Sequence, residues 1–297
     1  FMKNIAWLND LKLRGSYGIL GSQNNVSATN AFNLYGASVT GSYYDITGSG
    51  TGEVQGFYAS RIGNPRTSWE ENIVTNIGFD ATVLNNSMDI SLEWYKKSIK
   101  GLLFGEPLPA VIISGANAPT VNIGDIQNVG VDVAVGYRGK IGSDFQYNFR
   151  VNATHYKNEC VDIPDPGYFG SGSWQGVGTP VRNEEGHPIS SYFGYKIIGL
   201  FNSDEEVASA PTQNGAAPGR FRYADINKDG AITPDDRTHL GDPNPWLTTG
   251  LNLGANYKGF DLSAFFYASL GNKICNLTRS YLYFWSFYPT TNKSREL

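Results

Sequence analysis

The chain of 297 residues has a net charge of −4, a pI near 5.4 and no lysine- or arginine-rich run, which excludes an electrostatic footprint for nucleic acid. Its 35 glycines, 18 tyrosines, 16 phenylalanines and 6 tryptophans, against only 17% charged residues, favour strands and turns over helices. No apolar stretch reaches the ~18 residues of a membrane-spanning helix; a barrel, whose signal per strand is far weaker, stays open even at a mean hydropathy of −0.30.

Residues 11–17 read as a first strand. In 73–83, Ile73, Thr75, Ile77, Phe79, Ala81 and Val83 share one parity, while Asn76, Asp80 and Thr82 take the other. A period of two places alternate side chains on opposite faces of a strand. Asn85-Asn86-Ser87 supplies a turn, and Met88, Ile90, Leu92 and Trp94 then alternate with Asp89, Ser91 and Glu93 on the return. A second hairpin sets Val129, Val131, Val133, Val135 and Tyr137 before a turn in 139–144. It returns through Phe145, Tyr147, Phe149, Val151 and Ala153, alternating with Gln146, Asn148, Arg150, Asn152 and Thr154. A third joins Leu251, Leu253, Ala255 and Tyr257 through Lys258-Gly259 to residues 260–266, where Phe265 and Tyr267 break the alternation.

Each regular strand is expected to run about 9–11 residues, enough to cross a bilayer at a tilt and longer than the usual 5–6 of soluble proteins. Short turns close the hairpins, and long Gly/Pro/aromatic segments, 101–128 and 160–246, join one hairpin to the next. That asymmetry is expected of an outer-membrane barrel with short periplasmic turns and long extracellular loops. Such loops are more often functional than idle and can carry short strands of their own, such as one in 189–201. The competing reading is a secreted, calcium-stabilised β-sandwich that binds carbohydrate as an adhesin module, because one solvated sheet face gives the same alternation.

The most specific motif is residues 225–236. Asp225, Asn227 and Asp229 stand at positions 1, 3 and 5 of an EF-hand-type calcium loop, with Gly230 at the sharp turn, the Ala231 carbonyl at position 7, Thr233 at position 9 and the Asp236 carboxylate at position 12. A hard cation needs several oxygens converging on one point, and this spacing supplies them, so Ca2+ is the expected cofactor. Position 12 is Asp rather than Glu, and no amphipathic helix flanks the loop; a Gly-centred acidic turn without metal is the alternative.

The run from Gly219 through Arg220-Phe221-Arg222-Tyr223-Ala224 into this loop, followed by Asp236-Arg237 and Leu240-Gly241-Asp242-Pro243-Asn244-Pro245, resembles the loop signature of SusC/RagA TonB-dependent outer-membrane proteins. So do Leu11-Lys12-Leu13-Arg14-Gly15-Ser16-Tyr17-Gly18, Asn64-Pro65, Trp69-Glu70, Tyr257-Lys258-Gly259-Phe260 and Gly271-Asn272-Lys273-Ile274. The resemblance implies an all-β fold, an antiparallel transmembrane barrel of about 22 strands of which residues 1–297 are an incomplete part. The plug domain and the final strands are expected outside this sequence. It also implies that 158–248 form a long extracellular loop region, in the outer membrane of a bacterium. The function implied is import of oligosaccharides or peptides without chemistry on them, with a SusD-like surface lipoprotein, with TonB acting through the plug, and with membrane lipid around the wall.

Other candidates are fewer. Tyr168, Phe169 and Trp174, beside flexible glycines, could stack on sugar rings; loop packing or contact with a lid protein is the alternative. The dense aromatics between Tyr281 and Tyr288 suit a membrane-interface belt. Glu70-Glu71, Glu184-Glu185 and Asp204-Glu205-Glu206 are expected as solvated loop charges, so no enzyme is expected. Cys160 and Cys275 either pair or stay as thiols, and His155, His187 and His239 share no metal-ligand spacing and are expected as loop or surface residues.

Overall fold

The computed structural model describes residues 7–38, 42–45, 48, 53–105, 116–164, 167–171, 179–276 and 278. In chain order these form β1 (Leu8–Ser22), then β2 (Leu34–Ala37), β3 (Tyr43–Asp45), β4 (Glu53–Gln55) and β5 (Phe57–Arg61) in the first long connection, then β6 (Glu70–Val83) and β7 (Met88–Lys100). The second connection holds β8 (Leu103–Gly105) and β9 (Thr120–Asn122) before β10 (Asp125–Ile141) and β11 (Phe145–Asp162). The third is the richest, with β12 (Tyr168–Ser171), β13 (Val181–Glu184), β14 (Ser191–Tyr195), β15 (Ile197–Leu200), the short helix α1 (Asp204–Ser209), β16 (Phe221–Tyr223), a 3-10 turn (Pro234–Asp236) and β17 (Arg237–Gly241). Then come β18 (Leu247–Tyr257) and β19 (Phe260–Leu270).

Seven of these strands make one antiparallel sheet in the order β1-β6-β7-β10-β11-β18-β19, which is chain order once the connections are set aside. Register carries the side-chain alternation intact across all seven. One row runs Leu11, Ala81, Ile90, Val135, Val151, Leu251, Phe266; the next runs Lys12, Asp80, Ser91, Ala134, Asn152, Gly250, Tyr267. The sheet therefore has one apolar and one mixed polar face. A slip of one residue at any ladder would send that strand's apolar set to the wrong side.

Among the described residues the apolar face carries no second layer: Leu13 and Phe260 are each 79% exposed, Leu262 68% and Ile77 60%. In a β-sandwich these positions would form the interior between two sheets. Their exposure fits a wall against lipid rather than a sandwich interior. On the polar face, Arg14 donates from Nη1 to Glu93 Oε2 (2.8 Å) and from Nη2 to Ser91 Oγ (3.2 Å), while its Nε lies 2.9 Å from Asp80 Oδ2. This network ties β1, β6 and β7 together across the face opposite the lipid-facing one.

The turns confirm the alternation of short and long connections, with two differences. Lys258 and Gly259 both lie at positive φ (47° and 85°), the pairing that a tight two-residue hairpin turn needs. Residues 139–141, expected in the second turn, continue β10 instead. A Cβ on Gly139 would lie 2.6 Å from the ring of its partner Tyr147, so this glycine makes room for a cross-strand tyrosine. β10 and β11 also exceed the expected length, at 17 and 18 residues. At about 3.3 Å per residue they reach past a bilayer core of ~30 Å even when tilted. Lys96, Lys97, Asn128, Lys157 and Asn158 pair across this outer extension, where the apolar rows end.

At that end the loops build a buried core. Ile126 and Cys160 of the extended strands pack with Ile163 and Phe169, flanked by Ile99, Leu102, Phe104, Ile123 and Ile189. Both cysteines are free thiols, Cys160 buried and Cys275 exposed, so no disulfide joins them.

Phe79→Arg, on the lipid-facing row between Leu13 and Leu92, is expected to destabilise the intact barrel by about 2–4 kcal/mol if it sits near the bilayer midplane. Asn76→Arg, three residues earlier on the opposite face of the same strand, should cost much less. Equilibrium unfolding of the membrane-inserted protein compares the two, and equal losses would contradict the assignment of faces.

Candidate functional site

The site lies at the end of the sheet where the long connections cluster. Its first part is the acidic turn after β16. Lys228 and Gly230 take left-handed backbone conformations (φ 62° and 86°), which fold the chain back tightly. Asp225 accepts the Lys228 N–H on Oδ1 (2.6 Å) and the Gly230 N–H on Oδ2 (2.9 Å). Asn227 Oδ1 accepts from Asp229 N–H (3.0 Å), and Asp229 Oδ1 from Ala231 N–H (2.8 Å). The outgoing end is fixed to a neighbouring segment, because Thr212 N–H donates to Gly230 O (2.9 Å) and Ile232 N–H to Thr212 O (2.8 Å).

Asp236 closes the turn. It is fully buried, and its carboxylate accepts N–H groups from Thr233 (2.8 Å), Ile226 (2.8 Å) and Asn227 (3.4 Å). The Thr233 hydrogen bond, with those of Ile226 and Asn227 behind it, outweighs burial and holds the carboxyl below the usual carboxylate range. The Thr233 hydroxyl is itself the N-cap of the 3-10 turn, accepting from Asp235 N–H (3.3 Å). One carboxylate oxygen from each of Asp225, Asp229 and Asp236 falls within 4.8 Å of the others. The spacing seen in sequence thus becomes a real convergence of three anionic groups, with Asn227 between the first two. This donor set suits a hard divalent cation.

The second part is the four-stranded sheet β12-β13-β14-β17. A ladder of rings and guanidinium groups crosses it: Arg182 lies 3.6 Å from the Tyr168 ring centroid and 4.4 Å from that of Phe193, and Arg237 lies 5.7 Å from Phe193. Each such contact is worth about 0.5–1 kcal/mol at partly exposed positions.

Among the aromatics expected to meet a sugar, Tyr168 remains 41% exposed, with one face under Arg182. Phe169 is a correction. It is only 5% exposed, packed in the core with its ring 4.5 Å from that of Phe104, and has no free face to stack on anything. Neighbours on a strand point to opposite sides, so Tyr168 and Phe169 could not both face a ligand. Trp174 lies outside the described residues, as do the aromatics from 281 to 288.

The sheet also gathers groups that are distant in sequence. The ring of His187, in the turn after β13, stacks on that of His239, in β17, at 3.6 Å and 13°. His239 Nε2 lies 2.9 Å from Glu184 Oε2, while Arg182 Nη2 donates to Glu184 Oε1 (3.1 Å). Burial, and next to it the proximity of His239, push the His187 pKa down and favour its neutral form. His187 lies in a turn, as expected of a loop residue, whereas His239 is a strand residue, and the two rings meet although their spacing in sequence does not suggest it. Fifty-two residues separate them, and only the β14–β17 ladder brings them together.

Buried asparagines hold this layer on the long strands. Asn158 accepts Ile189 N–H on Oδ1 (2.7 Å) and donates to Asn128 Oδ1 (2.8 Å); Asn183 accepts Ser190 N–H (2.7 Å). Asn30 performs the same service between the first two connections, donating to Thr67 Oγ1 and Thr120 O and accepting from Thr120 N–H. The acidic run 204–206 is not loop but the first turn of α1, capped by Ser203. Negative charge there complements the helix dipole.

No protein-family profile matches the chain. With its uncovered apolar band and its antiparallel meander, the described sheet is a section of the wall of an outer-membrane β-barrel, and comparison with known proteins gives the type. The chain is 29% identical over 288 residues to TonB-dependent receptor P3 of Formosa agariphila, covering 94% of this chain and 27% of that protein. It is 26% identical over 283 residues to TonB-dependent receptor SusC of Bacteroides thetaiotaomicron, covering 92% of this chain and 26% of SusC. Among solved structures, the RagAB peptide importer in its closed-closed state superposes with a TM-score of 0.70 at 22% identity, over 92% of this chain and 28% of that one. The chain thus spans about a quarter of the length of the relatives it matches, and those relatives are named as receptors and importers, not as enzymes.

Asn158→Ala is expected to leave the Ile189 N–H and the Asn128 side chain without their partners, at about 1–3 kcal/mol. Amide exchange across residues 181–191 should then quicken by about tenfold or more, with exchange in β6 and β7 unchanged. Unaltered loop exchange would show that this asparagine does not fasten the layer.

Proposed function

We propose that the chain is the wall and extracellular-loop section of a TonB-dependent importer that takes up oligosaccharides or peptides through the outer membrane, partnered by a SusD-like surface lipoprotein. The observation that carries this reading is the pairing of a bare apolar face with an ordered loop layer confined to one end of the strands. A wall that only sealed the membrane would not need a loop layer with its own core and buried asparagine pins. In the proposal the polar face lines the lumen, residues 158–248 stand outside the cell, and Tyr168 offers its exposed edge to cargo or to the lid protein. Coupling to TonB is assigned to a plug domain.

Deleting the gene should abolish uptake of one class of labelled oligosaccharide or peptide, and the intact gene should restore it. A surface lipoprotein should copurify with the receptor in detergent. Unchanged uptake of every oligosaccharide and peptide tested would defeat the importer reading.

In the same proposal the acidic turn binds Ca2+ through Asp225, Asn227, Asp229, the Ala231 carbonyl and Asp236, with Thr233 closing the turn as its cap. The ion would stiffen the approach to β17 near the lid. Calorimetry with Ca2+ should show a binding isotherm for the receptor that Asp225→Ala and Asp229→Ala each remove. Identical traces for all three proteins would leave the turn as a metal-free device.

A further inference from the structure

We propose that Glu184, His187 and His239 form a second metal site, selective for a borderline transition metal of the Zn2+ class, which clamps β17 onto the turn that follows β13. One ligand atom from each residue lies within 4.8 Å of the others. Two imidazoles and one carboxylate are a donor set that zinc accepts in tetrahedral sites with one position open to water, and that Ca2+, which takes oxygen ligands, does not.

The three residues are held by backbone on different segments. His187 is fixed because its carbonyl accepts Cys160 N–H (2.9 Å), its own N–H donates to Glu184 O (3.1 Å), and Gly186 N–H donates to Cys160 O (2.9 Å). The turn is thereby laid along the end of β11. His239 is fixed by its pairing with Phe193 in β14. Glu184 is oriented by Arg182, whose Nη2 donates to Oε1 (3.1 Å) and whose Nε lies 3.0 Å from Oε2, the oxygen that also meets His239. That is the arrangement of an outer-shell group that aims a metal ligand.

The ring nitrogens are available. His239 Nδ1 is buried without a hydrogen-bond partner, and among the described residues neither ring nitrogen of His187 is hydrogen-bonded. His239 Nδ1 is thus a buried polar atom left unused beside a second imidazole, and folded proteins seldom leave one so. A metal must lie near the plane of each ring that binds it, so the parallel stack has to open for both rings to bind one ion. Rotation of a ring about its Cβ–Cγ bond opens the stack, with Zn–N distances of about 2.0–2.1 Å as the target. The side chains of Glu184 and His239 keep 30% and 17% of their exposure, so an ion can enter from solvent. This site is chemically distinct from the acidic turn, although Asp236 ends that turn directly before β17 and His239 is the third residue of the strand.

The test uses the full-length receptor in detergent, freed of metal and titrated with Zn2+ in the presence of excess Ca2+. Zinc should bind, and His187→Ala and His239→Ala should each weaken that binding by about tenfold or more, since even outer-shell partners are worth about 10- to 100-fold. Glu205→Gln, exposed in the first turn of α1 and outside both clusters, should leave zinc binding unchanged. Co2+ in place of zinc should give the visible absorption of a tetrahedral nitrogen–oxygen site, lost in both histidine variants. Heat-modifiable migration of each variant checks that its barrel is folded. Absence of zinc binding, or zinc binding and Co2+ absorption that persist in both folded histidine variants, would overturn the proposal; neither outcome bears on whether the receptor imports its cargo.

Discussion

The structure depends on the backbone ladder that joins seven strands in unbroken antiparallel register. Hydrocarbon offers no hydrogen bonds, so a sheet can present one face to lipid only if each backbone group in that region finds its partner within the sheet. The ladders do this between neighbours, and because the side-chain period is two, the same register that satisfies the backbone sorts Leu11, Ala81, Ile90, Val135, Val151, Leu251 and Phe266 onto one side. Hydrogen bonding and hydrophobic sorting are one constraint here. Among the described residues the outer edges of β1 and β19 have no strand partner, and open N–H and C=O groups persist in a membrane only where further strands close the wall.

The loop layer obeys a different rule. Beyond the apolar rows water is available, and stability must come from ordinary burial. β10 and β11 provide the foundation by continuing outward, so that Ile126 and Cys160 become the floor of a small core capped by Ile163 and Phe169. Burial alone does not set orientation. That falls to asparagines, whose paired donor and acceptor can hold a backbone N–H and a second side chain together, as Asn158 does between Ile189 and Asn128.

The wall was legible in the sequence because its side chains answer to a local rule: odd positions of β6 and even positions of β7 alternate whatever lies further off. The acidic turn was legible for the same reason, since its oxygen-bearing side chains follow one another at fixed spacing. Legibility fell where a residue's role depends on a distant partner. Gly139 looks like a turn residue until Tyr147 is placed across from it. Phe169 and Tyr168 look like one aromatic pair until a strand divides them between core and surface. No pattern in the sequence joins Glu184 and His187 to His239, because their meeting depends on the pairing of β14 with β17. The Gly/Pro/aromatic segment 160–246 likewise says loop; the short strand expected in 189–201 falls on β14 and β15, but nothing local announces the four-stranded sheet that β14 joins.

That sheet has a weak point, and the polar clusters stand at it. β17 is an edge strand with a single ladder, to β14, and the register shifts once along it. A strand of five residues held on one side frays easily unless its ends are fastened. Asp236 fastens the entry by gathering three backbone N–H groups under a buried carboxylate. His239 fastens the middle by reaching over β14 to Glu184 of β13. Both fastenings are polar rather than apolar, whereas the wall presents one apolar face. β17 therefore owes its place in the four-stranded sheet to one ladder and two polar contacts, where each inner strand of the wall is held by a ladder on both sides.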